Sequence, residues 1–303
     1  MRALNGKTAF VTGGASGIGF ALCKSFLRRG MNVVVADIRQ DHLDAARSAL
    51  GDAADTSARF MRVDVTDRKA MAAAADATER AFGKVHVLCN NAGVGDGVPI
   101  DRAAFEDWDW VLSVNLGGVV NGLVTFIPRI KAHGEGGHIL NTASMHSFIA
   151  LPAWGGIYSA SKFAVRGLSE SLRLALAPFN IGVSVLCPGL TRTSIGESYA
   201  LRPAHLAAPP RPTESLHPTA QVVPPPPGSG MDPAEIGEMA AAGIERNELY
   251  IFTHPEHREE LGELFDEALG AFPPAGPIDP GRRAFEEARR AATAAAKSLM
   301  PRG

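Results

Sequence analysis

A glycine-rich turn near the N-terminus sets how this chain begins to fold. A short apolar run, Thr8–Thr12, leads into Thr12-Gly13-Gly14-Ala15-Ser16-Gly17-Ile18-Gly19. Ile18–Arg29 then carries helical spacing, and the valine-rich run Asn32–Ala36 ends at Asp37. Glycines allow a tight turn and let backbone N–H groups approach a pyrophosphate, which the positive end of the following helix also favours. The spacing is G-x-x-x-G-x-G, not the more widespread G-x-G-x-x-G. Asp37 is placed to accept hydrogen bonds from both hydroxyls of an adenosine ribose. The same carboxylate repels a 2′-phosphate, so NAD is expected over NADP, although Arg39 partly offsets that repulsion.

Further β-like runs follow at Ala58–Val63, Val85–Cys89, His138–Asn141 and Val183–Cys187, with a last one near Leu249–Phe252. Helix-patterned stretches lie between them at Gln40–Leu50, Asp67–Phe82, Asp101–His133 and Tyr158–Phe179. Such alternation predicts an α/β fold built on a single doubly wound parallel sheet. Arg202–Gly230 carries Pro203, Pro209, Pro210, Pro212, Pro218 and Pro224 to Pro227, which excludes a helix or a central strand. It reads either as a linker or as a loop over the ligand crevice, since ligands bind beyond the strand C-termini in open α/β sheets. The organisation expected is one catalytic, dinucleotide-binding domain over 1–303. It carries an extended substrate loop or lid over 191–230 and a C-terminal extension over 254–303, which ends in an Ala/Arg/Glu-rich helix near Arg282–Ala296.

Charge and cysteine content remove several function classes. Thirty Lys+Arg against 32 Asp+Glu leave a net charge of −2. No basic excess points to nucleic acid or an anionic membrane. No run of about 18 apolar residues suggests a membrane span, and Asn5, Gly6 and Lys7 interrupt any signal-peptide core. Cys23, Cys89 and Cys187 read as reduced core residues of a cytoplasmic protein. Neither C-x-x-C nor H-E-x-x-H occurs, so no metal is expected.

Tyr158-Ser159-Ala160-Ser161-Lys162 opens a helix, and Tyr158 and Lys162, four apart, share one face. A tyrosine titrates near 10 when unperturbed, but a neighbouring ammonium lowers it. A shift of about 2 units needs only about 2.7 kcal/mol. A serine hydroxyl would then bind the substrate oxygen as its charge changes.

Together these residues resemble the short-chain dehydrogenase/reductase family. The match comprises the Thr12–Gly19 loop, Asp37, Asp64-Val65, Asn90-Asn91-Ala92-Gly93, Asn115, Ser144, Tyr158/Lys162 and Pro188-Gly189, over roughly residues 5 to 193. The resemblance implies a Rossmann-like fold. Tyr158 is then the acid/base, and Ser144 orients the carbonyl or alcohol. Lys162 binds the nicotinamide ribose and depresses the tyrosine pKa. Asn115 kinks a helix and helps hold a relay water. Cofactor contacts are implied at Gly13, Ser16, Gly17, Ile18, Gly19, Asp37 and Ile38. They continue at Asp64 and Val65 around the adenine, at Asn91, Ala92 and Gly93, and at Pro188, Gly189, Thr191 and Thr193 toward the nicotinamide. Ser144 precedes Tyr158 by fourteen residues, one more than the family's usual spacing, which makes Ser147 a rival. His146 is a second candidate base, or a histidine that shapes the pocket.

A looser resemblance links Val120-Asn121-Gly122, Leu201-Arg202-Pro203-Ala204, Leu216-His217, Gly230-Met231-Asp232-Pro233 and Leu249-Tyr250-Ile251 to bacterial NAD-dependent Cα-dehydrogenases of lignin-type aryl ethers. This implies oxidation of a bulky benzylic secondary alcohol to a ketone. Met145, His146, Phe148, Trp154, Ile195 and Tyr199 are the expected pocket residues. The alternatives are a hydroxysteroid or other bulky-ketone reductase and, from another class, a non-catalytic NAD-binding regulator. A homodimer or homotetramer is expected, formed through the helices of Asp101–His133 and Tyr158–Phe179.

Overall fold

The computed structural model describes residues 3–95, 97–151, 155–207, 226 and 228–300. Seven strands form one sheet in the order β3-β2-β1-β4-β5-β6-β7. They are β1 (Thr8–Thr12), β2 (Asn32–Asp37), β3 (Ala58–Arg62), β4 (Val87–Asn90), β5 (Gly137–Thr142), β6 (Ile181–Cys187) and β7 (Tyr250–Phe252). Every pairing is parallel. Helices α1 (Gly17–Arg28), α2 (Gln40–Leu50), α3 (Ala53–Thr56) and α4 (Arg68–Phe82) make the first crossovers. The second half adds α5 (Phe105–Leu112), α6 (Gly118–Ala132), α7 (Gly156–Leu176), α8 (Pro233–Glu245), α9 (Arg258–Gly270) and α10 (Pro280–Ser298).

The strands are apolar on both faces because both faces are covered. Alternate residues enter separate cores. Phe10, Val34, Leu88, Ile139 and Val183 pack with Phe126 and Ile130 of α6. Val11, Val33, Cys89 and Leu140 pack with Leu22 and Phe26 of α1 and Ile236 and Ala240 of α8. A Cβ at Gly237 would lie 2.7 Å from the Ala21 carbonyl, so this glycine lets α8 close onto α1. Strand order reverses between β1 and β4, which opens a crevice at their C-terminal ends.

The expected helix Asp101–His133 is broken into pieces. A 3-10 turn at Ile100–Arg102 precedes α5, and one wide π turn, Ser113–Gly117, separates α5 from α6. Asp107 starts α5 by accepting the Ala104 N–H at 2.8 Å. By length and composition Phe105–Ala132 has the apolarity of a membrane span, with a mean hydropathy of 1.6. Here Trp110, Asn115, Val119, Phe126 and Ile130 are buried in the fold. The expected Tyr158–Phe179 helix begins two residues earlier and ends in a 3-10 turn at Ala177–Phe179. Helix α8 was not legible beside the proline-rich segment; Asp232 caps it by accepting the Ala234 N–H at 2.8 Å, and Pro233 opens its first turn. Neither α9 nor α10 buries a residue.

Both ends of the long insertion after β6 are strapped together. Thr191 pairs with Met231 in a parallel bridge, the Met231 N–H donates to the Leu190 carbonyl at 2.9 Å, and Arg192 donates to the Gly230 carbonyl at 2.7 Å. Short 3-10 turns occupy Ser194–Leu201 and Ala204–Leu206. The rest of the expected lid, 208–225 and 227, lies outside the described residues, as does Trp154.

Candidate active site

The turn after β1 is shaped by left-handed glycines, Gly13 at φ +60° and Gly17 at φ +50°. A Cβ at Gly13 would lie 2.9 Å from the Ala92 Cα, and one at Gly19 only 2.0 Å from the Gly13 carbonyl. Thr193 closes over Gly17, where a Cβ would meet its methyl at 3.0 Å. Ser16 precedes the first turn of α1 without capping it through its side chain. The first-turn amides, which include those of Ile18 and Gly19, therefore suit an anion.

Asp37, nearly buried at the end of β2, has a second task. It accepts the Ala15 N–H at 3.1 Å through one oxygen and the Arg39 N–H at 3.0 Å through the other. The carboxylate thus ties the glycine turn to β2. Arg39 reaches both Asp41 and Glu197, its Nη1 lying 2.7 Å from Glu197, and these carboxylates raise its already high pKa. A cleft of about 740 Å³ opens here, beside Ile38, Arg39, Arg62, Glu197 and Leu201. A second, of about 420 Å³, lies beside Gly17, Lys24, Arg192 and Thr193.

Asn91 lies at the crevice but is committed to protein partners. Its amide donates to the Thr12 carbonyl at 3.1 Å, and its oxygen accepts from Thr142 at 3.1 Å. It holds the glycine turn to β4 and β5. Asp64 accepts both the N–H and the hydroxyl of Thr66 at 2.8 Å. The Val65 carbonyl is held by Asn121 at 2.8 Å.

The π turn brings Asn115 inward, fully buried. Its carboxamide takes the Val94 N–H at 2.8 Å, donates to the Val94 carbonyl at 3.0 Å and reaches the Ser161 hydroxyl at 3.1 Å. Ser161 donates to the Tyr158 carbonyl at 2.6 Å. Lys162 lies beneath the Tyr158 ring, its Nζ 5.5 Å from the centroid, and donates to the Thr142 carbonyl at 2.9 Å. Gly93 closes the group: a Cβ there would be 3.2 Å from Asn115 and 3.4 Å from Lys162 Nζ. Burial pushes the Lys162 ammonium down to about 8.

Ser144 lies just past the end of β5. Its hydroxyl accepts the His146 N–H at 3.1 Å and donates to the Pro188 carbonyl at 3.4 Å. The rival Ser147 is fully buried and donates to the Ser144 carbonyl at 2.7 Å. His146 is half-buried, donates from Nδ1 to the Ile149 carbonyl at 3.0 Å, and is held below its ordinary pKa by burial.

Two expected pocket residues belong to the core instead. Met145 is 1 % exposed. Phe148 packs its ring against Tyr250 and Phe252, both at 5.5 Å, with the Arg166 guanidinium 4.2 Å above it. The 3-10 turn Met145–Ser147 directs both side chains inward, where apolar surface leaves water. Ile195 and Tyr199 remain exposed at the rim, and the Ser198 hydroxyl accepts the Gly95 N–H at 3.1 Å. The wall behind them has no mark in the sequence. Trp110 meets Tyr199 edge-on at 5.7 Å, and Arg202 forms a buried ion pair with Asp107 at 2.7 Å. Those partners are 95 residues apart, so no local signal pairs them.

The cradle fits a dinucleotide: glycines where a side chain would collide, uncapped amides at α1, and an acid at the tip of β2. The family model for short chain dehydrogenases matches residues 7–202. A C alpha-dehydrogenase of Sphingobium sp. is 37 % identical over 294 residues, covering 95 % of this chain and 93 % of that protein. The 3beta-hydroxysteroid dehydrogenase 2 of Eggerthella lenta is 36 % identical over 194 residues, 64 % of this chain and 74 % of that one. A short chain dehydrogenase/reductase from Burkholderia phymatum, solved in complex with NAD, superposes with a TM-score of 0.81 at 32 % identity, covering 92 % of this chain and all of that one. With the sheet order, the glycine turn and the Tyr158/Lys162 pair in place, these matches have one reading: the chain belongs to the short-chain dehydrogenase family, oxidoreductases acting on CH–OH groups.

Proposed function

We propose that this oxidoreductase interconverts a bulky benzylic secondary alcohol and its aryl ketone, using NAD. The observation that carries the chemistry is Lys162, buried under the Tyr158 ring, with its Nζ and the Asn115 side chain both close to Gly93. Gly13, Gly17, Ile18, Asp37 and Thr193 would hold the dinucleotide, with Pro188, Gly189 and Thr191 toward its nicotinamide. When bound, that ring takes or returns the hydride. In the oxidative direction the Tyr158 oxygen takes the alcohol proton, helped by the Lys162 charge. Ser144 turns its one hydroxyl proton from the Pro188 carbonyl to the substrate oxygen, while the His146 N–H keeps hold of the serine oxygen. Asn115 holds Val94 and Ser161, and through Ser161 the backbone at Tyr158.

NAD over NADP is supported by Asp37 and by Arg39, whose charge is already matched by Asp41 and Glu197. The aromatic substrate is supported by the exposed Ile195 and Tyr199 against Trp110, and by the Sphingobium relative's named activity. The hydroxysteroid dehydrogenase relative supports a second reading, a polycyclic secondary alcohol. Exposed Phe105, Val120, Val124 and Phe163 on α5, α6 and α7 suit a homodimer or homotetramer. Three free, buried cysteines suit a reducing, cytoplasmic setting.

The test follows NADH absorbance with aryl carbinols, hydroxysteroids and short aliphatic alcohols, each with NAD and with NADP. The proposal expects the highest kcat/KM for an aryl carbinol with NAD. Preference for a hydroxysteroid would replace the substrate class, equal use of both cofactors would overturn the NAD assignment, and no turnover of any alcohol or ketone would refute the catalytic reading.

A further inference from the structure

His254 follows β7 at the start of the C-terminal extension and is 4 % exposed. Its ring is fitted against the turn after β6. The Gly189 N–H donates to Nδ1 at 2.9 Å, and Nε2 donates to the Leu190 carbonyl at 2.9 Å. The Thr253 hydroxyl also lies 2.7 Å from Nδ1. A tautomer with its proton on Nε2 fits the Leu190 contact and leaves the single Nδ1 lone pair shared between the Gly189 N–H and the Thr253 hydroxyl. A Cβ at position 189 would lie 2.8 Å from His254 Cγ and 2.8 Å from His257 Nε2, so a glycine is required for the ring to lie flat on this backbone.

The opposite side of the same turn holds the proposed catalytic serine. The Pro188 carbonyl accepts the Met145 N–H at 2.9 Å and the Ser144 hydroxyl at 3.4 Å. The turn is therefore held by the imidazole at Gly189 and Leu190, by Ser144-Met145 at the Pro188 carbonyl, and by the Met231 N–H at the Leu190 carbonyl. Without the imidazole, the Gly189 N–H loses its partner and the Leu190 carbonyl keeps only the Met231 N–H, so the turn is held less tightly on that side and can shift. A displacement of about 1 Å can cost about 100-fold in rate when it moves reacting groups out of line.

We propose that His254 is a positioning residue: by fixing the Pro188–Leu190 turn it sets both the nicotinamide end of the cofactor cleft and the Ser144 hydroxyl. The inference rests on the reading that this cleft takes NAD with its nicotinamide beside Pro188-Gly189. His254 touches neither substrate nor the reacting atoms; it acts through the backbone. It also ties the C-terminal extension to the chemistry, since the chain enters that extension at the residue that holds the turn.

The test separates the two halves of the cofactor. His254→Phe keeps a ring and removes both hydrogen bonds, whereas His254→Asn keeps an acceptor for the Gly189 N–H. Affinity for NADH and for ADP-ribose, which lacks the nicotinamide, is measured by calorimetry beside kcat and thermal unfolding. The Phe variant is expected to bind ADP-ribose within about twofold of wild type, to lose about tenfold in NADH affinity and at least about tenfold in kcat. The Asn variant should recover most of both. If the Phe variant does not fold, His254→Gln, which can keep the donor to Leu190 and loses the acceptor for Gly189, reads the same split. Unchanged NADH binding and kcat in a folded variant would overturn the proposal. So would equal weakening of NADH and ADP-ribose alongside a lower melting temperature, which marks a purely structural histidine. Wild-type protein that binds neither ligand would overturn the dinucleotide reading itself, and this proposal with it.

Discussion

At the N-terminal edge of the sheet, His86, His133, Glu135, Lys7 and Lys84 form a closed network. His86 accepts the Thr8 N–H at Nδ1 and donates to Glu135 from Nε2, both at 3.1 Å. His133 donates to the Val85 carbonyl at 2.9 Å and accepts the Glu135 N–H at 3.2 Å. Lys7 at 2.7 Å, then Lys84 and His86, hold the Glu135 carboxylate well below its ordinary pKa, while burial holds His86 down. One side-chain nitrogen or oxygen from each of His86, His133 and Glu135 lies within 4.8 Å of the other two. At the C-terminal edge the inventory is similar and the disposition is opposite. Lys162 is displaced in pKa as well, yet it faces a glycine, and the amides of α1 begin without a side-chain cap. A shifted pKa therefore records crowding and burial. A site for a ligand is marked by groups that the protein leaves for something else to satisfy.

Replacing Tyr158 with Phe tests that contrast most severely. Turnover should fall by about 10²- to 10⁴-fold while NADH binding is kept, because the ring still packs and only the acid/base is lost. Retention of more than about a tenth of wild-type kcat would remove Tyr158 from this role.

Lys162→Met probes the cost of the buried charge. The folded-state pKa of about 8 lies below the unfolded value of about 10.4, so the fold disfavours the ammonium. That penalty is complete below pH 8 and vanishes as the pH rises toward 10. Wild type should therefore gain on the Met variant across that window, by up to about 3 kcal/mol. Urea unfolding at pH 7, 8.5 and 10 measures it. A difference independent of pH would show that the lysine is not desolvated.

The smallest effect is expected at the other edge. Glu135→Gln should lower the melting temperature by a few degrees and leave kcat and KM unchanged. Because the carboxylate is depressed in the fold, the wild-type advantage is present at neutral pH and fades as the pH falls below about 4. A loss of turnover at pH 7 would break the division between a structural edge and a functional one.

The readable parts of the site are those made by local chain geometry. A strand, a glycine turn, a helix and an acid occur in sequence order, so the cradle from Gly13 to Asp37 could be read directly. Tyr158 and Lys162 meet because they are four apart on a helix. The pocket was harder to read. Met145 and Phe148 have the composition of a substrate wall, but a single 3-10 turn sends them into the core. Trp110 falls within a stretch that reads as one long helix; the π turn at Ser113–Gly117 lies where the family resemblance implies a kink at Asn115, but no local apolar period marks it.

The amino-acid sequence by itself determined the alternation of strands and helices, the glycine turn and the pairing of Tyr158 with Lys162, since each depends on contacts within one turn or one crossover. Tertiary structure alone decided which carbonyl anchors Ser144, that Asp107 meets Arg202, and that His254 returns 65 residues later to hold Gly189. Such pairings are chosen by how the completed sheet brings distant loops to one edge. Their buried polar groups then settle on whatever partner that edge supplies, because leaving them unpaired costs more than any local preference gains.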